Sequence, residues 1–181
     1  MRRICVCAAL FLVAGCGGTP ATEAPPAATK GVMGVARLDG RNGSTVHGYI
    51  SFTQNGDKVA VAGDFYELYP GLHSIYIHEV GNCSSPNAAS AGAVWNAAGN
   101  TGKRTGELPQ VYAGTEGRAN ISTSLRTISV GTGRPDDVMG RSVVIYADID
   151  RDPKAEFGVR NDRVACGVVK PSTGLDLKNI L

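Results

Sequence analysis

From residue 31 onward, apolar and polar positions alternate in short runs: Gly34-Val35-Ala36-Arg37-Leu38, His47-Gly48-Tyr49-Ile50-Ser51-Phe52 and Lys58-Val59-Ala60-Val61-Ala62-Gly63. A period of two over a few residues marks a half-buried strand. Between the runs stand Asp39-Gly40-Arg41-Asn42-Gly43 and Gln54-Asn55-Gly56-Asp57, clusters whose turn chemistry closes antiparallel hairpins. The same pattern predicts strands at 72–78, 119–124, 126–130, 142–147 and 164–169, and no helix longer than about two turns. With 24 glycines and no internal repeat, the chain reads as an all-β sandwich or flattened barrel.

The first thirty residues follow different rules. Met1-Arg2-Arg3 and an apolar run over 4–14 have the charged start and short hydrophobic region of an export signal, too short to remain as a membrane span. Leu12-Val13-Ala14-Gly15-Cys16 resembles a bacterial lipobox, which implies cleavage before Cys16 and lipid attachment to it. The predicted organisation is a signal peptide at 1–15, a lipidated Cys16 with a flexible Pro/Ala-rich tether at 16–30, and a folded domain at 31–181. Two or three acyl chains hold a protein stably on a membrane, where one is marginal. Glycine directly after Cys16 favours an outer membrane over an inner one where both exist.

Charge and cysteine content narrow the partners. Loss of Arg2 and Arg3 with the signal leaves 16 basic against 16 acidic side chains, so neither nucleic acid nor a strongly acidic partner is expected. Of five cysteines, Cys5 and Cys7 leave with the signal and Cys16 is acylated, so Cys83 and Cys166 remain to form one disulfide in an oxidising envelope.

The segment Gly71-Leu72-His73-Ser74-Ile75-Tyr76-Ile77-His78-Glu79 resembles the copper-binding strand of the Cu/Zn superoxide dismutases. Five further blocks are similar to that family in the same order: Val46 to Phe52, Ser90-Ala91-Gly92-Ala93-Val94-Trp95-Asn96-Ala97, Gly106-Glu107-Leu108-Pro109, Met139 to Tyr146, and Asp162-Arg163-Val164-Ala165-Cys166-Gly167-Val168-Val169. The resemblance implies an eight-stranded Greek-key β-barrel or sandwich with long loops. It also implies where metals are bound in the family. The copper-histidine positions hold Tyr76, His78, Val94 and Tyr146. On the zinc side, the bridging position is Val94, another histidine position is Arg104, Glu107 stands for the aspartate, and 95–103 is shortened and lacks histidine.

Such a donor set predicts no zinc. It also predicts no conventional dismutation, because that reaction cycles copper between two oxidation states on imidazoles, and valine neither coordinates nor carries a proton. The expected function is that of an envelope-anchored superoxide-dismutase-like lipoprotein acting as a binding or structural module, with no cofactor. The alternative is a divergent dismutase, or a copper- or iron-binding protein, with a single ion at His78, Tyr76 and Tyr146. Arg163 stands at the family's anion-guiding position, His73 at a structural histidine position, and His47 reads as a surface residue. The expected partner is the membrane, through the lipid; a homodimer is left open and no protein partner is indicated.

Overall fold

The computed structural model describes residues 31–97, 99, 103–147 and 163–172. The expected signal peptide, Cys16 and the tether lie outside the described residues. Ten strands are described: β1 (Met33–Gly40), β2 (His47–Asn55), β3 (Lys58–Tyr66), β4 (Gly71–His73), β5 (Ile75–His78), β6 (Val111–Ala113), β7 (Ala119–Leu125), β8 (Ser142–Tyr146), β9 (Arg163–Val168) and β10 (Lys170–Ser172). One 3-10 turn at Ala89–Ala91 is the only helical element among the described residues.

An eight-stranded antiparallel sheet runs in the order β5-β8-β9-β1-β2-β3-β7, with β10 also pairing β1. Placing β8 beside β5 and β9 beside β1 gives the non-sequential neighbours of a Greek key. A second sheet pairs β4 with β6, the strands that immediately precede β5 and β7, the two end strands of the first, and the curled antiparallel sheet is the expected β-barrel fold. In β3, Val59, Val61 and Phe65 are buried while Lys58, Ala60 and Ala62 are exposed, the alternation of a sheet with one wet face. They join Leu38, Ile50, Phe52, Ile75, Ile77, Val143 and Ile145 in the main core.

Burial departs from alternation in β8, where Ser142 to Ile145 are all buried. The reason is a second cover on the outer face. Val144 and Cys166 pack against Ala88 and Ala91 of the loop after β5, with Cys83 and Tyr146 at the edge of this small cluster. The Cys83–Cys166 disulfide ties that loop to β9 across a sequence separation of 83.

One expected strand is not formed. Residues 126–130 make a loop, because Asp137 draws the backbone away from the ladder: its carboxylate accepts from the N–H groups of Gly131, Gly133 and Met139 at 3.0, 2.7 and 2.9 Å. The buried Gln54 fixes the other side of the loop, accepting from Val130 N at 2.8 Å while donating to Gly56 O. Strand β6, in turn, is too short to register as a periodic run.

Closing a loop of this length lowers unfolded-state entropy by on the order of 4 kcal/mol. Cys83→Ser is therefore expected to lower the melting temperature by several degrees under oxidising conditions, measured by circular dichroism, and an unchanged temperature would contradict a stabilising bridge.

Candidate functional site

Strand β5 has two faces. Ile75 and Ile77 enter the main core, so Tyr76 and His78, one residue out of phase, share the outer face. One edge of β5 pairs with β8 in the register Tyr76↔Val144 and His78↔Ser142. The other edge is closed by loop backbone. Ile77 N donates to Gly106 O (2.8 Å), Gly106 N to Trp95 O (2.8 Å), and Trp95 N to Ile77 O (2.9 Å). These bonds set bridges Tyr76↔Glu107 and His78↔Val94. Gly106 permits the approach, since a Cβ there would lie 2.2 Å from Ile77 O.

Tyr146 arrives from the end of β8. Its N–H donates to Ser74 O at 2.9 Å, and its carbonyl lies 2.9 Å from Nδ1 of His73, whose Nε2 is 2.8 Å from Tyr69 O. His73 thus has the hydrogen-bonding role expected of it. His47 sits exposed at the start of β2, stacked on Tyr66.

A register shift between β8 and β9 completes the site. Val144 faces Cys166 and Ile145 faces Ala165, but Tyr146 faces Arg163 rather than Val164. A bulge of this kind re-aims a side chain. Here it sets Arg163 Nε 2.9 Å from Tyr146 Oη, while Nη1 and Nη2 donate to the carbonyls of Ala88 (2.6 Å) and Gly92 (3.2 Å).

The polar contacts then close on themselves. Tyr146 Oη lies 3.2 Å from His78 Nε2, and His78 Nδ1 lies 2.9 Å from Gly92 O, the same carbonyl that Arg163 reaches. A carbonyl can only accept, so His78 carries its proton on Nδ1 and presents Nε2 as the acceptor for the Tyr146 hydroxyl. Burial holds His78 below the usual histidine range, with Arg163 and Arg104 adding to the effect and the Gly92 hydrogen bond opposing it. Burial likewise raises Tyr146, against the pull of Arg163. Both are therefore neutral near neutral pH.

Tyr76 is half-buried beside them, its ring edge-on to Tyr146 at 5.2 Å between centroids and under the Arg104 guanidinium at 5.8 Å. Arg104 Nε in turn pairs with Glu107 at 2.7 Å. The expected residues are thus collected in one place: Tyr76, His78 and Tyr146 on one side, Arg104 and Glu107 on the other. Among the described residues, no group of three or more His, Cys, Asp or Glu is placed to hold a metal ion.

Residues 46–169 match the family model of copper/zinc superoxide dismutase. The chain belongs to the copper/zinc superoxide dismutase family. It is 31% identical to an extracellular superoxide dismutase [Cu-Zn] of Brugia pahangi, covering 78% of this chain and 77% of that one. It is 37% identical to a superoxide dismutase [Cu-Zn] of Onchocerca volvulus (70% and 90% covered) and 32% identical to one of Caulobacter vibrioides (68% and 78%). Family membership, the β-barrel fold and the Cys83–Cys166 disulfide are therefore established.

Sequence reasoning missed two participants. The acceptors Ala88 O and Gly92 O are backbone groups without a side-chain signal, although Gly92, at φ 77°, is a position that favours glycine. The β8–β9 bulge likewise leaves no mark in the hydrophobic pattern.

The depressed proton affinity of His78 makes a pH prediction. The unfolded chain takes up this proton near pH 6.5 and the folded chain only at lower pH, so its contribution is complete above about pH 6.5 and declines as pH falls below it. Thermal melts between about pH 7.5 and about pH 5 should show a smaller acid-side loss in His78→Gln than in the parent. Parallel slopes would contradict the burial of a neutral imidazole.

Proposed function

We propose that this chain is an envelope-anchored member of the superoxide dismutase family that has exchanged the copper/zinc centre for a metal-free hydrogen-bonded cluster. It acts as a binding or structural module rather than as a conventional dismutase. The observation that carries this reading is the Arg163–Tyr146–His78–Gly92 circuit. His78 is the one imidazole left at a copper position, and its Nε2 is engaged by the Tyr146 hydroxyl.

The remaining groups do not fit the family's metals. Val94, opposite His78, offers no donor. A phenol becomes a good ligand only after losing a proton, and burial makes that loss harder for Tyr146. On the zinc side, Glu107 is paired with Arg104, whose positive charge opposes a divalent cation. Arg163, at the anion-guiding position, uses all three guanidinium nitrogens on Tyr146, Ala88 and Gly92. The lipobox-like sequence ending at Cys16 supports a membrane-anchored location with the domain held off the surface by residues 16–30.

A second reading has one observation in its favour. Tyr76, His78 and Tyr146 do share the outer face, with ring centroids of Tyr146 5.2 Å from Tyr76 and 6.0 Å from His78, so a single copper or iron ion bound there is the alternative.

Metal analysis and a superoxide assay on protein purified from its own envelope separate the two. The expected result is far less than one equivalent of copper, iron or zinc and no superoxide-dependent turnover. Stoichiometric copper with activity abolished in His78→Ala would overturn the proposal in favour of a divergent dismutase. Stoichiometric metal without turnover would make the protein a metal carrier.

A further inference from the structure

Arg104 and Glu107 also line a solvent-open cleft with a volume of about 540 Å³. Its walls come from two segments anchored independently of each other. The Trp95 and Gly106 backbone bonds to Ile77 hold the segment that carries Arg104 and Glu107. Asp137 and Gln54 hold the loop that carries Arg134, Pro135 and Asp136. A cleft between two separately fixed walls is formed before any ligand arrives, as small-molecule sites usually are.

The lining combines an apolar surface with fixed cations. Ala97, Leu125 and Pro135 supply carbon, and Lys103, Arg104 and Arg134 supply charge. Both carboxylates present are already committed. Glu107 accepts from Arg104 Nε at 2.7 Å, and Asp136 takes a two-point contact from Arg134, Nε at 3.1 Å and Nη2 at 2.9 Å. Each carboxylate neutralises and orients one guanidinium, and among the described residues Lys103 is the lining charge left without a partner. The residual charge of the lining is therefore positive. A guanidinium has five donors in a fixed fork, and those its carboxylate does not use suit a carboxylate, sulfonate or phosphate monoester.

We infer that this cleft is a binding site for a small amphipathic organic anion, one acidic group attached to an apolar body, built at the positions where the family holds zinc. The inference rests on the metal-free reading above and adds a ligand class to it. Replacement of a ligand position by Arg104 is then more than a loss. It supplies the anion-binding donor, and its contact with Tyr76 places an occupant next to the hydrogen-bonded cluster.

The probe for the test is 8-anilinonaphthalene-1-sulfonate, a fluorescent aromatic monoanion, titrated onto the folded, full-length protein after metal analysis, with octanoate and octanol as competitors. The expected result is one saturable site, displaced by octanoate far better than by octanol. Loss of a charge-assisted contact should weaken it about tenfold or more in Arg104→Gln or Arg134→Gln. Arg37→Gln, which removes an exposed cation outside the cleft, should leave it unchanged, and melting curves check that each variant is folded. Equal affinity in all three variants, or equal displacement by octanol, would overturn the inference. Displacement of the probe by stoichiometric zinc would instead overturn the metal-free reading. Absence of probe binding, with no effect of zinc, would sink the anion site alone.

Discussion

Both backbone edges of β5 are occupied: by β8 on one side, and on the other by the N–H and C=O groups of Trp95, Gly106 and Leu108. None of these bonds uses a side chain, so the strand is held in place whatever residues point from it. This constraint makes the placement of β5 independent of the side chains on its outer face. Ile75 and Ile77 must remain apolar because they fill the main core. Tyr76 and His78 are under no such demand, and the chemistry of the outer face is free to vary. An unpaired polar group left there would still be costly, since burying one without a partner costs on the order of a few kcal/mol. Arg163, Tyr146, His78 and Gly92 O meet this requirement by satisfying one another.

The loop over that face is secured in three ways that reinforce one another. The disulfide fixes Cys83 to β9, the small apolar cluster buries Ala88 and Ala91, and Arg163 grips the carbonyls of Ala88 and Gly92. Tyr146 takes part in two of the three, as a neighbour of the apolar cluster and as the partner of Arg163. A residue with one apolar face and one hydroxyl suits a boundary between packing and polar networks. The same arrangement lets Arg163 clamp the loop through three of its five N–H donors.

Much of this was legible in the sequence, and for identifiable reasons. The alternation in β3 sits on a sheet with one wet face, where the period of two is cleanest. The motif from Gly71 to Glu79 and the cysteines near its end and near the C-terminus placed the site and its bridge. The pattern failed where longer-range bonds override local preference. Residues 126–130 alternate like a strand, yet Asp137 and Gln54 hold them as a loop. In β8 Ser142 to Ile145 are buried without alternation because the loop covers the second face, a fact no window of residues contains. The pairing of Tyr146 with Arg163 depends on a bulge, and the cleft beside Arg104 depends on two segments far apart in sequence.

The central claim is that His78 is a hydrogen-bond acceptor inside a closed circuit rather than a metal ligand. The most direct measurement is the nitrogen NMR spectrum of its imidazole, recorded before and after adding one equivalent of Cu(II). The account predicts a neutral ring with the proton on Nδ1, Nε2 shifted by the Tyr146 hydroxyl, and signals that survive the copper. Loss of the His78 resonances to paramagnetic broadening at one equivalent would contradict it.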